Sequence, residues 1–445
     1  DAKNNRIKNL GTPIATTDAA TKTYTDVLVN NTALGPAPTG LISTGSITSR
    51  LLADRWGEIK NVKDFGATGD GSTDDTDALN AAFSAVTALG GGEVVLPAGT
   101  YRITGQLTPG TNTSIVGAGI GATVIDGSAS PYTANFASRG MLVYPAPSYT
   151  ALPTLAANLA ENERTITFSS APSVTAGDVI NIYNPTDYSW SGSRSYYRAG
   201  ETVRVAAVTG NVVTIQGTLS ASYLLGDVTV YKLSNPNSVK LADFSFKGLA
   251  DTGNSIKGIT LSAGVDCTVT NVRVYNSSYW QLYLDGCFNV TVDGVVCEED
   301  FSADFSGDYG LVIGGSTNVQ VLGGYFIAAR HGITIGNASV YSVINRYHKI
   351  LGAHVSTSGV GQVSAADIHG NAEWVTYDGC TIDGGIVFGG NHIAIRNCLI
   401  RGSVDVSGNT LPPILGSDFN GCHMSIENNV IKSSGIFLSR GALID

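Results

Sequence analysis

Two short segments gather acids that could work as a pair: "CEEDFSADFSGDYG", Cys297 to Gly310, and "ADIHGNAEW", Ala366 to Trp374. Hydrolysis of a glycosidic bond needs two carboxyl groups, ~5–5.5 Å apart for retention and ~6.5–9.5 Å for inversion. Asp367 and Glu373 are the candidate acid/base pair, with Asp308 as the alternative second carboxylate. Elimination from a uronate asks instead for a base and a cation that neutralises the sugar carboxylate. "ARHGITIG", Ala329 to Gly336, offers Arg330 and His331, and "DIHG" offers His369. Tyr309 and Trp374 are rings that can lie against a pyranose face. A subunit contact explains an exposed Trp374 as well as a sugar does. Glu298, Glu299 and Asp300 read as turn-capping acids rather than a calcium site, and any one outward acid is more often plain solvated surface.

A repeat must position these groups. Alternating apolar residues, a small or polar position and a closing apolar pair recur from "VKLADFSF" at Val239 to "MSIENNVI" at Met424. The small or polar positions are Asp243, Asn271, Gly294, Gly323, Gly352, Gly379, Asn397 and Asn428, spaced 28, 23, 29, 29, 27, 18 and 31 residues apart. This spacing predicts one coil of a parallel β-helix per repeat, stacked at ~4.8 Å, with Val and Ile inward and polar residues outward. Asp308 lies 14 residues after Gly294 and Asp367 lies 15 after Gly352. The two are therefore expected on one side, two coils apart, roughly 9–10 Å at that rise. Ile368 alternates inward, so Asp367 and His369 project outward. Glu373 shares the parity of inward Val375, so a corner intervenes at Gly370–Asn371 or the acid is partly buried. Partial burial would raise its pKa and suit a general acid.

Ahead of the repeats stands "DFGATGDGSTDDTDALNAAF", Asp64 to Phe83. It lacks the Gly and Glu positions of a calcium-binding EF-hand loop and the Lys of a phosphate loop. Ser72 or Thr73 is the expected N-cap, with Asp74, Asp75 and Asp77 in the first helical turn. Leu79, Ala82, Phe83, Val86 and Leu89 form one apolar face, and Gly90 to Gly92 end the helix. Such a helix can cover the open end of a solenoid.

From "VKDFGATGDGSTDDTDALNAAF" through "GGGEVVLPAGTYRI" to "SIVGAG" and "TVIDG", the chain resembles the start of pectate-lyase-like right-handed β-helix domains. The leader "RIKNLGTPIATTDAATKTYTD" is similar to the segment that precedes many phage tail-fibre and tailspike shafts, carried by Ile7, Asn9, Leu10, Pro13, Asp18, Ala19, Lys22 and Tyr24. Together they resemble bacteriophage tailspike depolymerases. That resemblance implies an all-β, right-handed parallel β-helix and a homotrimer joined to the phage tail or baseplate through its N-terminus. It implies a virion protein that acts outside the host on capsule, exopolysaccharide or O-antigen. The pectinolytic signatures "NTD", "GHG" and "WIDH" are absent, which disfavours pectin itself. Expected regions are a leader and linker (1–57), a capping helix with first coils (58–140), a β insertion (141–235) and the main coils (236–445). In the insertion, "NPTDYSWSGSRSYYRAGE" has the Tyr, Trp and Arg content of a sugar-binding or intersubunit surface.

Composition narrows the classes further. Net charge is −10 without a Lys/Arg cluster, which disfavours nucleic acid. No apolar run approaches the ~18 residues of a membrane span, so no membrane insertion is expected. The six cysteines follow no zinc spacing and read as small core residues, so neither a metal nor an organic cofactor is expected. The first residue is Asp and nothing like the first cap follows the last repeat, so further domains are expected there in preference to a partner subunit covering that end. Three functions stay open: a glycoside hydrolase first, a uronate lyase with His331 or His369 as base and Arg330 on the carboxylate second, and a glycan-binding fibre without activity third.

Overall fold

Each coil forms because a residue of one turn pairs in parallel with its counterpart in the next. Leu241, Val269, Val292, Val321, Ile350, Tyr377, Ile395 and Ile426 follow one another in register across successive strands. The computed structural model describes residues 58–128, 140–186, 198–249, 256–298, 308–336, 341, 343–358, 364–368, 372–407, 422–432, 436–439 and 442–444. Among them, one twenty-two-stranded and one nine-stranded parallel sheet wind into a right-handed parallel β-helix. Their inward side chains make one continuous apolar core running from Val62 to Met424.

The small-residue positions are the corners. Asp243, Asn271, Gly294, Gly323, Gly352, Gly379, Asn397 and Asn428 all hold φ between +51° and +66°. Gly adopts that region freely and Asn or Asp at little cost, which is why those types recur. Where Gly is absent, side chains bond up the column: Asn271 Nδ2 donates to Asp243 Oδ1 at 2.7 Å, and Asn428 Nδ2 to Asn397 Oδ1 at 2.7 Å.

The helix Thr76–Thr87 buries Leu79, Ala82, Phe83 and Val86 against the core. Its start differs from expectation. Asp70–Asp74 is a strand and Asp75 occupies the N-cap position without a capping bond. The Asp75 carboxylate instead accepts the Thr68 and Gly69 N–H groups, and Asp70 accepts those of Ser72 and Thr73. These acids tie the loop together before the helix begins. Leu89 lies past the helix end and is exposed.

Strands from Ser148–Ala151 to Thr229–Ser234 form a separate six-stranded antiparallel sheet with its own core around Ile166, Phe168, Ile180 and Val213. It docks on the β-helix through Val179, Leu233, Ala263 and Val265 and through a two-pronged Arg204–Asp266 ion pair at 2.6 and 2.8 Å. Five cysteines are free and buried in the coils: Cys267, Cys287, Cys297, Cys380 and Cys398.

One inward position carries a histidine. His348 takes the place of Val in the column Val290, Val319, His348, Val375. Its Nδ1 accepts the Val319 N–H at 3.1 Å, while Nε2 has no partner among the described residues. Burial depresses its pKa to about 3. The folded state therefore binds this proton less readily than the unfolded chain, whose His titrates near ~6.5. Its stability contribution is complete above that value and shrinks by about 1.4 kcal/mol per pH unit below it. Urea unfolding at pH 7 and pH 5 should show the wild type losing about 2 kcal/mol through this group. The His348→Gln variant should show a correspondingly shallower acid loss. Equal losses in both proteins would contradict the assignment.

Candidate functional site

On the nine-stranded sheet, alternation sends Leu282, Leu311, Ile333 and Ala366 into the core. It sends Tyr283, Val312, Thr334 and Asp367 outward in one register column. A second outward column begins at the strand starts, where Trp280 pairs with Tyr309 and Tyr309 with His331. Trp280, Tyr283, Tyr309 and Val312 form a cluster separate from the main core, with Tyr279 packed on it. This face is aromatic and charged, yet its side chains are largely withdrawn from water.

His331 sits at its centre. Its ring stacks on Tyr309, with centroids 5.3 Å apart and planes 8° off parallel. Nδ1 lies 2.8 Å from the Ser364 carbonyl oxygen. A carbonyl can only accept, so Nδ1 carries a proton. Nε2 then faces Asp367 Oδ2 at 3.6 Å. Neutral, His331 presents a lone pair there; charged, it presents an N–H to a carboxylate. Both side chains are buried, His331 at 6% and Asp367 at 8% exposure, so charge on either one is weakly screened from the other.

Two cations stand along the same face, Arg330 beside the pair and Lys257 at the far end of the column. The Arg330 guanidinium lies 5.5 Å from the Tyr309 ring centroid. The Arg330 and His331 N–H groups both donate to the Asp308 carbonyl, at 3.1 and 3.3 Å, which fixes the turn into this strand. Lys257 Nζ stands 4.1 Å over Trp280 and 4.8 Å over Tyr283, and the Tyr283 hydroxyl donates to Asp285 at 2.8 Å. Burial pulls the Lys257 pKa below its usual value, against the opposing pull of Asp285. Two buried polar groups here, Trp280 Nε1 and Thr334 Oγ1, have no hydrogen-bond partner among the described residues. Among those residues no three His, Cys, Asp or Glu side chains gather as a metal site.

The expected site residues are only partly brought together. Asp367, His331, Arg330 and Tyr309 share this face, with Asp308 at its edge. Asp308 does not lie in the Asp367 column, because Tyr309 pairs with His331 and it is Val312 that leads through Thr334 to Asp367. The uniform 29-residue coil holds at the Gly corners. It fails on this sheet, where loops of unequal length redistribute the residues between corners. Glu373 and Trp374 lie in Ala372–Asp378, a strand of the other sheet. Glu373 is buried and bonded to Arg346 Nε at 2.6 Å, so it makes no pair with Asp367. Glu298 pairs with Arg273 at 2.6 Å. His369, Glu299, Asp300, the leader 1–57 and residues 187–197 of the aromatic loop lie outside the described residues. Sequence reasoning missed Lys257, Trp280, Tyr283 and Ser364. The run "YWQLYLD", Tyr279 to Asp285, held the signal, since Trp280 and Tyr283 have opposite parity in one strand and cannot both face inward.

Two family models match the chain. Residues 275–443 match "Gp49, pectin lyase-like", and residues 148–233 match "Tailspike protein-like, Ig-like domain". The tailspike gp49 of Pseudomonas phage LKA1 is similar at 27% identity and TM-score 0.69, over 84% of this chain and 64% of that one. The Gp54 tailspike of Acinetobacter baumannii bacteriophage AP22, solved with an A. baumannii capsular saccharide, shares the fold at 20% identity and TM-score 0.68, over 90% and 62%. A stretch of 72 residues is 56% identical to alginate lyase 7 of Azotobacter vinelandii, 15% of this chain and 8% of that protein. The chain thus spans less than two thirds of the length of each.

Proposed function

From the premise that a Gp49 pectin-lyase-like β-helix and a tailspike Ig-like domain make this chain a phage tailspike, we propose that it cuts a bacterial surface polysaccharide on the outer face of its nine-stranded sheet. The observation that carries the reading is His331, oriented by Ser364, backed by Tyr309 and facing Asp367. We read three copies side by side, residues 1–57 as the attachment to the tail, and action at the outside of the host.

The geometry favours elimination over hydrolysis by two carboxylates. Of the expected acid pair, Glu373 is neutralised by Arg346 on the other sheet. The nine-stranded face instead concentrates cations and a base. In the proposed step, neutral His331 takes the proton α to a uronate carboxyl through Nε2. The bond from the β carbon to the glycosidic oxygen breaks, a carbon–carbon double bond forms, and the imidazolium returns its proton to the leaving oxygen. Arg330 neutralises the uronate carboxylate, and Asp367 stabilises the transient imidazolium. Hydrolysis by Asp367 with Asp308 is the second reading, favoured by the burial of both acids beside His331.

Mass spectrometry of Pseudomonas and Acinetobacter capsule and O-antigen preparations, incubated with the protein, separates the readings. Unsaturated oligosaccharides absorbing in the ultraviolet are the expected product. Saturated fragments would move the mechanism to the two aspartates. Uncut polymer from every preparation to which the protein binds would make it a binding fibre.

A further inference from the structure

A second corner column on the twenty-two-stranded sheet changes character along its length. Asp266, Asn289, Asn318, Tyr347, Trp374 and His392 all hold φ between +54° and +61°. The first three are types that tolerate this conformation, and they bond up the column: Asn289 donates to Asp266, and Asn318 Nδ2 to Asn289 Oδ1 at 2.9 Å. The last three are large rings, for which the left-handed backbone is a less favourable conformation than it is for Asn. Asn at those places would remove the strain and extend the ladder. What the rings supply is a stacked aromatic surface. Trp374 and His392 lie 3.8 Å apart and 7° off parallel, and Tyr347 follows at 6.4 Å and 18°. Tyr347 and Trp374 remain 41% and 45% exposed.

Beside the rings is a cavity of about 490 Å³ whose lining includes Lys349, Thr376, Arg396 and Ser425. Lys349 has no ion-pair partner among the described residues, and Arg396 faces Glu427 at 3.5 Å. We propose that this ladder and cavity form a second saccharide site, separate from the proposed cutting face. It takes an acidic stretch of the polymer, with a pyranose on Trp374 and a uronate carboxylate on Lys349. Flat rings beside hydroxyls and a cation suit a charged sugar, whereas contact with a second copy of this chain would call for a broader apolar surface. The proposal rests on the tailspike reading only for the class of ligand.

The test uses the full chain carrying Asp367→Asn, labelled with fluorotryptophan and observed by fluorine NMR. The chain has four tryptophans, and loss of a signal in Trp374→Phe assigns that residue. Oligomers of mannuronate, galacturonate and glucuronate are titrated against a neutral glucan. We expect at least one uronate oligomer, and not the glucan, to move the Trp374 signal. Lys349→Ala should then weaken the titration about fivefold to tenfold. The Trp280 signal reports on the nine-stranded face independently, so failure of one site is not failure of the other. A Trp374 signal unmoved by all three oligomers overturns the proposal. So does one that moves with protein concentration alone, which would mark an interface between copies.

Discussion

Asp367→Asn should lower turnover by about 10²–10⁴-fold while leaving the unfolding midpoint and polymer binding close to wild type. The expectation follows from where Asp367 stands. It is buried, faces outward from the core, and has Nε2 of an oriented histidine 3.6 Å away. In the proposed step the amide cannot stabilise the imidazolium formed when His331 takes a proton, so the barrier should rise without loss of core packing. The pH profile tests the coupling separately. An opposite charge favours the charged form of its neighbour, so removing it makes His331 easier to deprotonate. The acid limb of the rate profile should therefore move to lower pH in Asp367→Asn, where a merely structural change would leave it in place. His331→Gln should abolish the limb together with the activity. Full turnover in either variant would remove the dyad from the chemistry.

The corners and the inward columns were legible because each is fixed by a local rule. A left-handed backbone selects Gly, Asn or Asp, and a strand period of two separates Val and Ile from polar neighbours. Gly294, Gly323 and Gly352 thus gave the coil length directly. The helix was legible from Leu79, Ala82, Phe83 and Val86, but not its start, because Asp70 and Asp75 serve loop N–H groups that no helical pattern shows. The site was harder, since it depends on register across loops of variable length. Asp308, Tyr309, Arg330, His331 and Asp367 were singled out as candidates by residue type. Their pairing was not, because 22 residues separate Tyr309 from its partner His331 and 33 separate Thr334 from its partner Asp367. Glu373 has the right parity for burial, but its partner lies a coil earlier, at Arg346, and no spacing rule links them. Trp374 was noticed as an exposed ring. That it belongs to a strained column with Tyr347 and His392 emerges only from backbone angles.

Glu373→Gln should destabilise the fold by about 3–5 kcal/mol. Arg346 and Glu373 are almost wholly out of water, with side-chain exposures of 1% and 5%. Burial alone would pull the Arg346 pKa down, but Glu373, Tyr223 and Glu201 hold it well above its usual value. Its Nη1 also donates to the Gly200 carbonyl at 2.8 Å, so one cation ties the six-stranded sheet to the β-helix coil. Gly200 cannot be replaced there, since a side chain at φ +123° would strike the Ile182 carbonyl. Neutralising Glu373 leaves a buried guanidinium that has lost its closest anion, which costs more than the pair contributes. Replacing both partners, as Arg346→Met with Glu373→Leu, should be milder than Glu373→Gln, because no charge is then stranded. Denaturant midpoints measure all three proteins, and cutting assays on the folded fraction divide the roles. Glu373→Gln is expected to be unstable but, per folded molecule, active. A stable Glu373→Gln protein without activity would restore this acid to the chemistry and return the mechanism to a pair of carboxylates.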